Sequence, residues 1–334
     1  MNIIIPMAGM GKRMRPHTLT VPKPLINVAG KPIVQRLVED IAGLCTEPVD
    51  EIAFIIGHFG DAVEQQLLNL ATSLGAKGKI CYQEEALGTA HAILCAEESL
   101  VGKTIIAFAD TLFRADFKLE TEKDGILWVS QIDDPSAFGV VKVDENNRIT
   151  DFVEKPQEFV SDLAMIGIYY FRDGQVLKEE LNYLIDNNIM NDGEYQLPDA
   201  LRNMTAKGMH FSPGKVNEWL DCGNKNATVY SNQRVLENIK AELKVPESVS
   251  RTNSMIIPPC YIGENVELTN AIVGPHVSLG GNTKLTNTVI TNSIIQEGTR
   301  IGNSIIDNSM VGAFAKVNGS AIDLSISDYS TVEN

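Results

Sequence analysis

The stretch Asn2–Arg15, NIIIPMAGMGKRMR, sets three consecutive isoleucines directly before two glycines and the cations Lys12, Arg13 and Arg15. The isoleucines, closed by Pro6, read as a short buried strand, and Gly9 and Gly11 as the loop that follows it. Glycine lets backbone amides approach an anion closely, and successive amides in such a turn form an anion nest. Arg13 can then meet a phosphate through its planar guanidinium fork. The pattern is neither GxGxxG nor GxxxxGKS/T, so neither the dinucleotide fingerprint nor the Walker loop applies. Two glycines alone would suit a plain strand-to-helix turn. Three cations beside them, in a chain of net charge −15, point instead to an anionic ligand.

Outward from this loop, β-rich apolar runs alternate with helical patterns as far as about residue 245. In KPIVQRLVEDIAGL, residues Ile33, Leu37, Ile41 and Leu44 recur at helical spacing. Ile52–Ile56 reads as a second strand, Asp61–Leu74 as a second helix and Thr104–Ala109 as a third strand. Runs at Ile126–Ile132, Phe138–Val143, Ile149–Val153 and Ala164–Phe171 are also β-like, and Asn226–Leu243 reads as a long helix. The expectation is an α/β domain, residues 1–245, with a Rossmann-like and mostly parallel sheet.

Beyond about Met255 the long helical patterns stop. An aliphatic residue followed by glycine appears at Ile262-Gly263, Val273-Gly274, Leu279-Gly280, Ile301-Gly302 and Val311-Gly312. A period near six residues marks a parallel β-helix in which each hexad forms one flat side and the aliphatic residue points inward. Residues 246–334 are therefore expected to form a short left-handed parallel β-helix, with an irregular β-sandwich as the alternative.

Composition narrows the function. Apolar residues make up 44% of the 334 positions and charged residues 21%, which suits globular domains with cores. A strongly acidic chain without a Lys/Arg run is unsuited to nucleic acid. There is no apolar stretch of membrane-spanning length, and the opening residues carry no basic leader. The five cysteines are scattered, without a CxxC pair, as expected of reduced thiols in the cytoplasm; neither zinc nor disulfides are expected.

After the loop comes TVPKPLINVAGKPIV, in which Pro22 and Pro24 stiffen the backbone around Lys23. Together AGMGKRM, Pro16, Thr18, PKPL and GKP resemble the signature of the sugar-phosphate nucleotidylyltransferases, close in spacing to glucose-1-phosphate uridylyl- and thymidylyltransferases. The resemblance covers roughly the first two thirds of the chain. It implies transfer of a nucleotidyl group from a nucleoside triphosphate to a sugar 1-phosphate with Mg²⁺. Triphosphate roles fall to Ala8, Gly9, Gly11, Arg13 and Lys23, the last two as catalytic cations. Lys12 stands where relatives have Thr or Ser.

YQEEALGTAHAI is similar to the base-recognition stretch of that family, which implies nucleotide contacts for Gln83, Gly88 and Thr89. A glutamine amide offers both a donor and an acceptor, as a pyrimidine edge requires; guanylyltransferase relatives tend to carry an acidic residue at this place, and the resemblance therefore implies that dTTP or UTP is favoured. His91 is read as a helix residue that packs. Asp110 ends the strand IIAFAD, at the carboxyl edge where open α/β sheets bind ligands, and Asp221, in a W-x-D-x-G pattern, resembles the second conserved acid of that family; both are expected to hold Mg²⁺. In AFGVVKVDENNRITDFVEKP the resemblance implies that Gly139 packs against the sugar, Glu154 binds its hydroxyls and Lys155 its phosphate. Tyr169 and Glu194 are either further sugar contacts or structural residues. A homo-oligomer is expected, with acyl transfer through the β-helix and a catalytically silent subunit as the rival readings.

Overall fold

Strand β1 (Asn2–Pro6) is buried from Ile3 onward, as a run of isoleucines at the centre of a sheet should be. Two short strands, β2 (Asn27–Val28) and β3 (Lys31–Pro32), lead into helix α1 (Ile33–Leu44), which buries Ile33, Leu37 and Ile41 along one face. Strand β4 (Glu51–Ile56), helix α2 (Asp61–Ser73), strand β5 (Lys77–Tyr82), the short helix α3 (Thr89–Leu94) and strand β6 (Thr104–Ala107) follow. β1 pairs in parallel with β4 and with β6, and β4 pairs in parallel with β5. Strand β5 is absent from the sequence reading. It lies at the sheet edge and buries only Cys81, so its apolar signal is weak.

The second half of this region supplies β7 (Thr111–Arg114), β8 (Gly125–Gln131), β9 (Val140–Val143), β10 (Ile149–Val153) and the long β11 (Leu163–Phe171). Helices α4 (Gly174–Asp186) and α5 (Leu197–Ala206) and strands β12 (Phe211–Lys215) and β13 (Glu218–Asp221) complete it. β11 runs antiparallel to β6, β8 and β9, so the nine-stranded sheet is parallel on one side of β6 and largely antiparallel on the other. β13 pairs with β7 in a small separate sheet, which sets Asp221 opposite Thr111, next in sequence to Asp110.

The computed structural model describes residues 1–320, so positions 321–334 of the expected β-helix lie outside the described residues. Its contacts divide the chain into two units, residues 1–26 with 31–224, and 27–30 with 225 onward. The division falls about twenty residues before the composition change near 245, because helix α6 (Lys225–Asn238) belongs with the second unit. Its buried face is partly polar: Asn232 accepts from the Ser278 hydroxyl at 2.7 Å and from the Ala29 amide at 2.9 Å, both within that unit. Composition marks where the repeats begin; packing marks where the unit begins.

The repeats form stacked parallel rungs. Leu268, Leu285, Ile301 and Val317 lie in register, as do Ile262, Leu279 and Ile295, and Val273, Ile290 and Ile306. The inward columns are thus five or six residues apart within a coil, and a coil spans 17 or 16 residues, short of the 18 that three full hexads would need. The shortening is taken up at corners in the left-handed backbone region. Asn253, Asn270, Asn287 and Asn303 have φ of 47, 50, 51 and 51°, and each donates its amide to the next asparagine in the column at 2.9–3.0 Å. Asparagine tolerates this conformation better than other side chains do, which explains its abundance here. No helix among the described residues is long and apolar enough to cross a membrane.

Candidate active site

The loop after β1 is pinned at both ends. Met7 N donates to Ile55 O at 2.8 Å, and Met14, fully buried, anchors the short 3₁₀ turn Lys12–Met14. Between them Gly11 adopts φ 57°, and a Cβ there would stand 2.9 Å from Cβ of Lys23. Glycine is therefore required twice over, by conformation and by the close approach of the Lys23 side chain. Thr18 donates its hydroxyl to Gly11 O at 2.8 Å and holds the loop against the turn His17–Leu19.

Lys23 is 7% exposed, and its Nζ meets Oδ2 of Asp110 at 2.9 Å. A buried ammonium demands a counter-charge, and the aspartate that leaves β6 supplies it. Cys222 N donates to Asp110 O at 2.9 Å, which ties the end of β13 to the end of β6. Asp221 thereby faces Asp110, while Gly223 N donates to its Oδ1 at 2.8 Å. Burial first, and then repulsion from Asp110, raise the Asp221 carboxyl above its ordinary range; Gly223, Lys23 and Arg13 oppose the rise. A Cβ on Gly223 would lie 2.8 Å from Asp221 Oδ1 and 3.3 Å from an Arg13 guanidinium nitrogen, so this glycine keeps the carboxylate and the arginine adjacent.

The cavity beside these groups measures about 530 Å³. Of the residues singled out from the sequence, Ala8, Gly9, Gly11, Arg13, Lys23, Gln83, Gly88, Thr89, Asp110 and Glu194 all line it. Gly88 has φ 109° and packs on the Tyr195 backbone, which would clash with any Cβ. Thr89 accepts from Leu197 N at 2.9 Å, so its hydroxyl is already engaged in bracing the 194–197 segment. Glu194, read as a sugar contact or a structural residue, stands beside Gly88, and its Cβ would be 3.0 Å from a Cβ placed there.

Gly139, Glu154, Lys155 and Tyr169 do not line that cavity. They form a neighbouring cluster in the same unit. A Cβ on Gly139 would sit 2.5 Å from Met165 Cε and 2.7 Å from Glu154 Oε2. Lys155 is exposed, has φ 42°, and reaches Glu154 Oε1 at 3.7 Å. The Tyr169 hydroxyl is pushed up by burial, then by the charges of Glu154 and Asp110. Two residues beside these groups carry no functional role in the sequence reading. Phe108, two residues before Asp110, lines the cavity and meets Tyr169 edge-on with centroids 6.3 Å apart. His91, read there as packing, lies 3.4 Å from the Gln83 amide. No group of three or more His, Cys, Asp or Glu that could hold a metal occurs among the described residues.

A family model described as nucleotidyl transferase matches residues 2–238. The bifunctional protein GlmU of Methanococcus maripaludis is 30% identical over 262 residues, covering 77% of this chain and 60% of that protein. The mannose-1-phosphate guanylyltransferase catalytic subunit beta of Drosophila melanogaster is 33% identical over 177 residues, 50% of this chain and 47% of that one. The chain thus spans about 60% of the length of the first relative and about half of the second. Among solved structures, a UDP-glucose pyrophosphorylase in complex with UDP-glucose superposes with a TM-score of 0.58 at 22% identity, over 71% of this chain and 98% of that one. At that identity the likeness speaks for the fold alone. The matched stretch contains the glycine loop, the buried lysine and both aspartates, and the chain belongs to the nucleotidyl transferase family.

Proposed function

We propose that this chain transfers a nucleotidyl group from a nucleoside triphosphate, with dTTP or UTP favoured, to a sugar 1-phosphate, with glucose 1-phosphate favoured, releasing pyrophosphate. The observation that carries the reading is the single cavity whose wall includes the glycine loop, Lys23, Gln83 and Asp110. An ionised oxygen of the sugar phosphate attacks the α-phosphorus in line, and the bond to pyrophosphate breaks. The nucleophile arrives charged, so no general base is needed, and the work is positioning and charge neutralisation. Loop amides and Arg13 face the triphosphate; Lys23 adds a fixed positive charge from beneath. Glu154 and Lys155, with Gly139, orient the sugar 1-phosphate, with Tyr169 beside them.

The donor set suits Mg²⁺. Two oxygen donors, Asp110 and Asp221, are gathered closely enough to repel one another, and Mg²⁺ is commonly held by one or two carboxylates together with substrate phosphates. Bound there, the ion would neutralise phosphate charge and orient the triphosphate. The reading includes a cytoplasmic homo-oligomer whose C-terminal coils wind left-handed. It gives those coils no acyl transfer: their one histidine, His276, occupies a corner at φ 61° and pairs with Glu237 at 2.7 Å.

The test is pyrophosphate release with Mg²⁺, pairing dTTP, UTP, CTP, GTP and ATP with glucose, mannose, galactose and glucosamine 1-phosphates. Release that requires both substrates is expected. No release with any pair would sink the transferase reading.

A further inference from the structure

Gln83 presents its side chain to the cavity from just beyond the edge strand β5, and its backbone N is held by Ile56 O at 2.9 Å. Beyond that bond the side chain has three torsions to fix, which for a free glutamine costs roughly 2 kcal/mol of rotamer freedom. The amide is also ambiguous in principle, because swapping its oxygen and nitrogen exchanges an acceptor for a donor. A base-reading glutamine with no partner would present either end.

A neighbour that accepts the amide proton from behind would remove that ambiguity. Gln83 Nε2 is turned toward His91 Nδ1, 3.4 Å away, and His91 does not line the cavity but stands behind the amide. Its mounting is firm. Helix α3 is fastened at its start by Ala90 N to Tyr195 O and Leu197 N to Thr89 Oγ1, both 2.9 Å, while His91 O accepts from Cys95 N at 3.2 Å. With Nδ1 as acceptor the ring proton lies on Nε2, and the carbonyl oxygen of Gln83 is left for a ligand.

We infer that His91 is a positioning residue for base selection: it holds the Gln83 amide with its carbonyl oxygen toward the cavity, favouring a base that presents an N–H donor there. Uracil and thymine carry that donor at N3; cytosine carries an acceptor at the same place. The inference rests on the cavity being the nucleotide site, and it adds the reason why a glutamine, able to read either pattern, reads one.

The experiment compares binding of UTP, dTTP and CTP in the presence of Mg²⁺ by calorimetry, beside pyrophosphate release, for the wild type, His91→Leu and His91→Asn. Asparagine keeps an acceptor near the position of Nδ1, and leucine has a similar shape without one. Wild type should bind UTP at least tenfold more tightly than CTP. His91→Leu should cut that ratio about fivefold, the equivalent of one ordinary hydrogen bond, through KM with kcat within about twofold. His91→Asn should restore the ratio to within about twofold. Equal binding of UTP and CTP by wild type, an unchanged ratio in His91→Leu, or equal behaviour of the two variants would overturn the inference. If His91→Leu fails to fold, His91→Phe fills the ring volume and takes its place. Absence of pyrophosphate release with the binding ratios intact would count against the transferase reading alone.

Discussion

Both units bury aliphatic side chains, but they use polar groups in opposite ways. Around the cavity they converge: Lys23 is buried against Asp110, Asp221 is pressed toward Asp110, and Arg13 lies beside Gly223. In the coils they run in columns and end on backbone. The buried hydroxyls of Thr288, Ser293 and Thr299 donate to carbonyls of Thr286, Thr291 and Gly312 at 2.6–2.9 Å, and the corner asparagines bond one another. A closed hydrogen-bond ladder stabilises a fold and leaves little for a ligand. Convergent charge is costly to fold and is retained where chemistry needs it.

The largest effect should come from breaking the convergence. Asp110→Asn and Asp221→Asn should each slow pyrophosphate release on the order of a thousandfold. Their effects on folding should have opposite signs in metal-free buffer at neutral pH. Asp110→Asn strips Lys23 of its closest counter-charge and should cost on the order of 2 kcal/mol. Asp221 has a raised folded carboxyl, so between its ordinary and its raised value the folded chain binds more proton, and stability falls as pH rises through that window. Above it the ionised carboxylate is a net cost, and Asp221→Asn should melt higher than wild type. Thermal unfolding reads both, and equal shifts in one direction would show that the two aspartates are not a repelling pair.

The next effect belongs to the coils. Leu285 is 1% exposed between Leu268 and Ile301 in an inward column, and Leu285→Ala should cost about 3 kcal/mol, as cavities in packed cores do. Turnover per folded molecule, measured well below the melting range, should be unchanged. A loss of turnover as large as that in Asp221→Asn would erase the contrast between the units.

What the residues disclose in advance differs in the same way. The isoleucine run, the helical spacing of Ile33, Leu37 and Ile41, and the aliphatic repeats are local signals that burial enforces, and strands, helix and rungs form where they stand. Strand β5 escapes because an edge strand need bury only one face, here Cys81 alone. The coil length escapes because sides of five and six residues look alike when glycine, not the asparagine corner, is taken as the marker. Loop residues near Gly11, Gln83 and Asp110 are visible as chemistry without geometry. Phe108 and His91 are not, since an aromatic residue and a histidine next to apolar neighbours look like core. The gap between the cavity and the Gly139–Glu154 cluster depends on how antiparallel β9 and β10 meet β11, a long-range pairing that spacing does not encode.

A smaller effect sharpens the assignment of that cluster. Gly139→Ala places a methyl group 2.7 Å from Glu154 Oε2 and 2.5 Å from Met165 Cε. The flexible methionine can yield; the carboxylate must turn. KM for the sugar 1-phosphate should rise about tenfold, near 1.4 kcal/mol, with KM for the triphosphate within about twofold. A rise in both would move Gly139 from the sugar side to a general structural role.

The smallest effect separates the two reasons for asparagine at a coil corner. Asn287 has φ 51°, accepts from Asn270 at 3.0 Å and donates to Asn303 at 2.9 Å. Asn287→Ala loses the ladder and also meets the left-handed penalty of about 1 kcal/mol. Asn287→Gly loses the same ladder without that penalty. If conformation dominates, glycine should be nearly neutral and alanine should cost about 1 kcal/mol, the backbone strain alone. Equal losses in urea unfolding would assign the corner to the ladder instead. Pyrophosphate release should be the same in both variants, because Asn287 does not line the cavity.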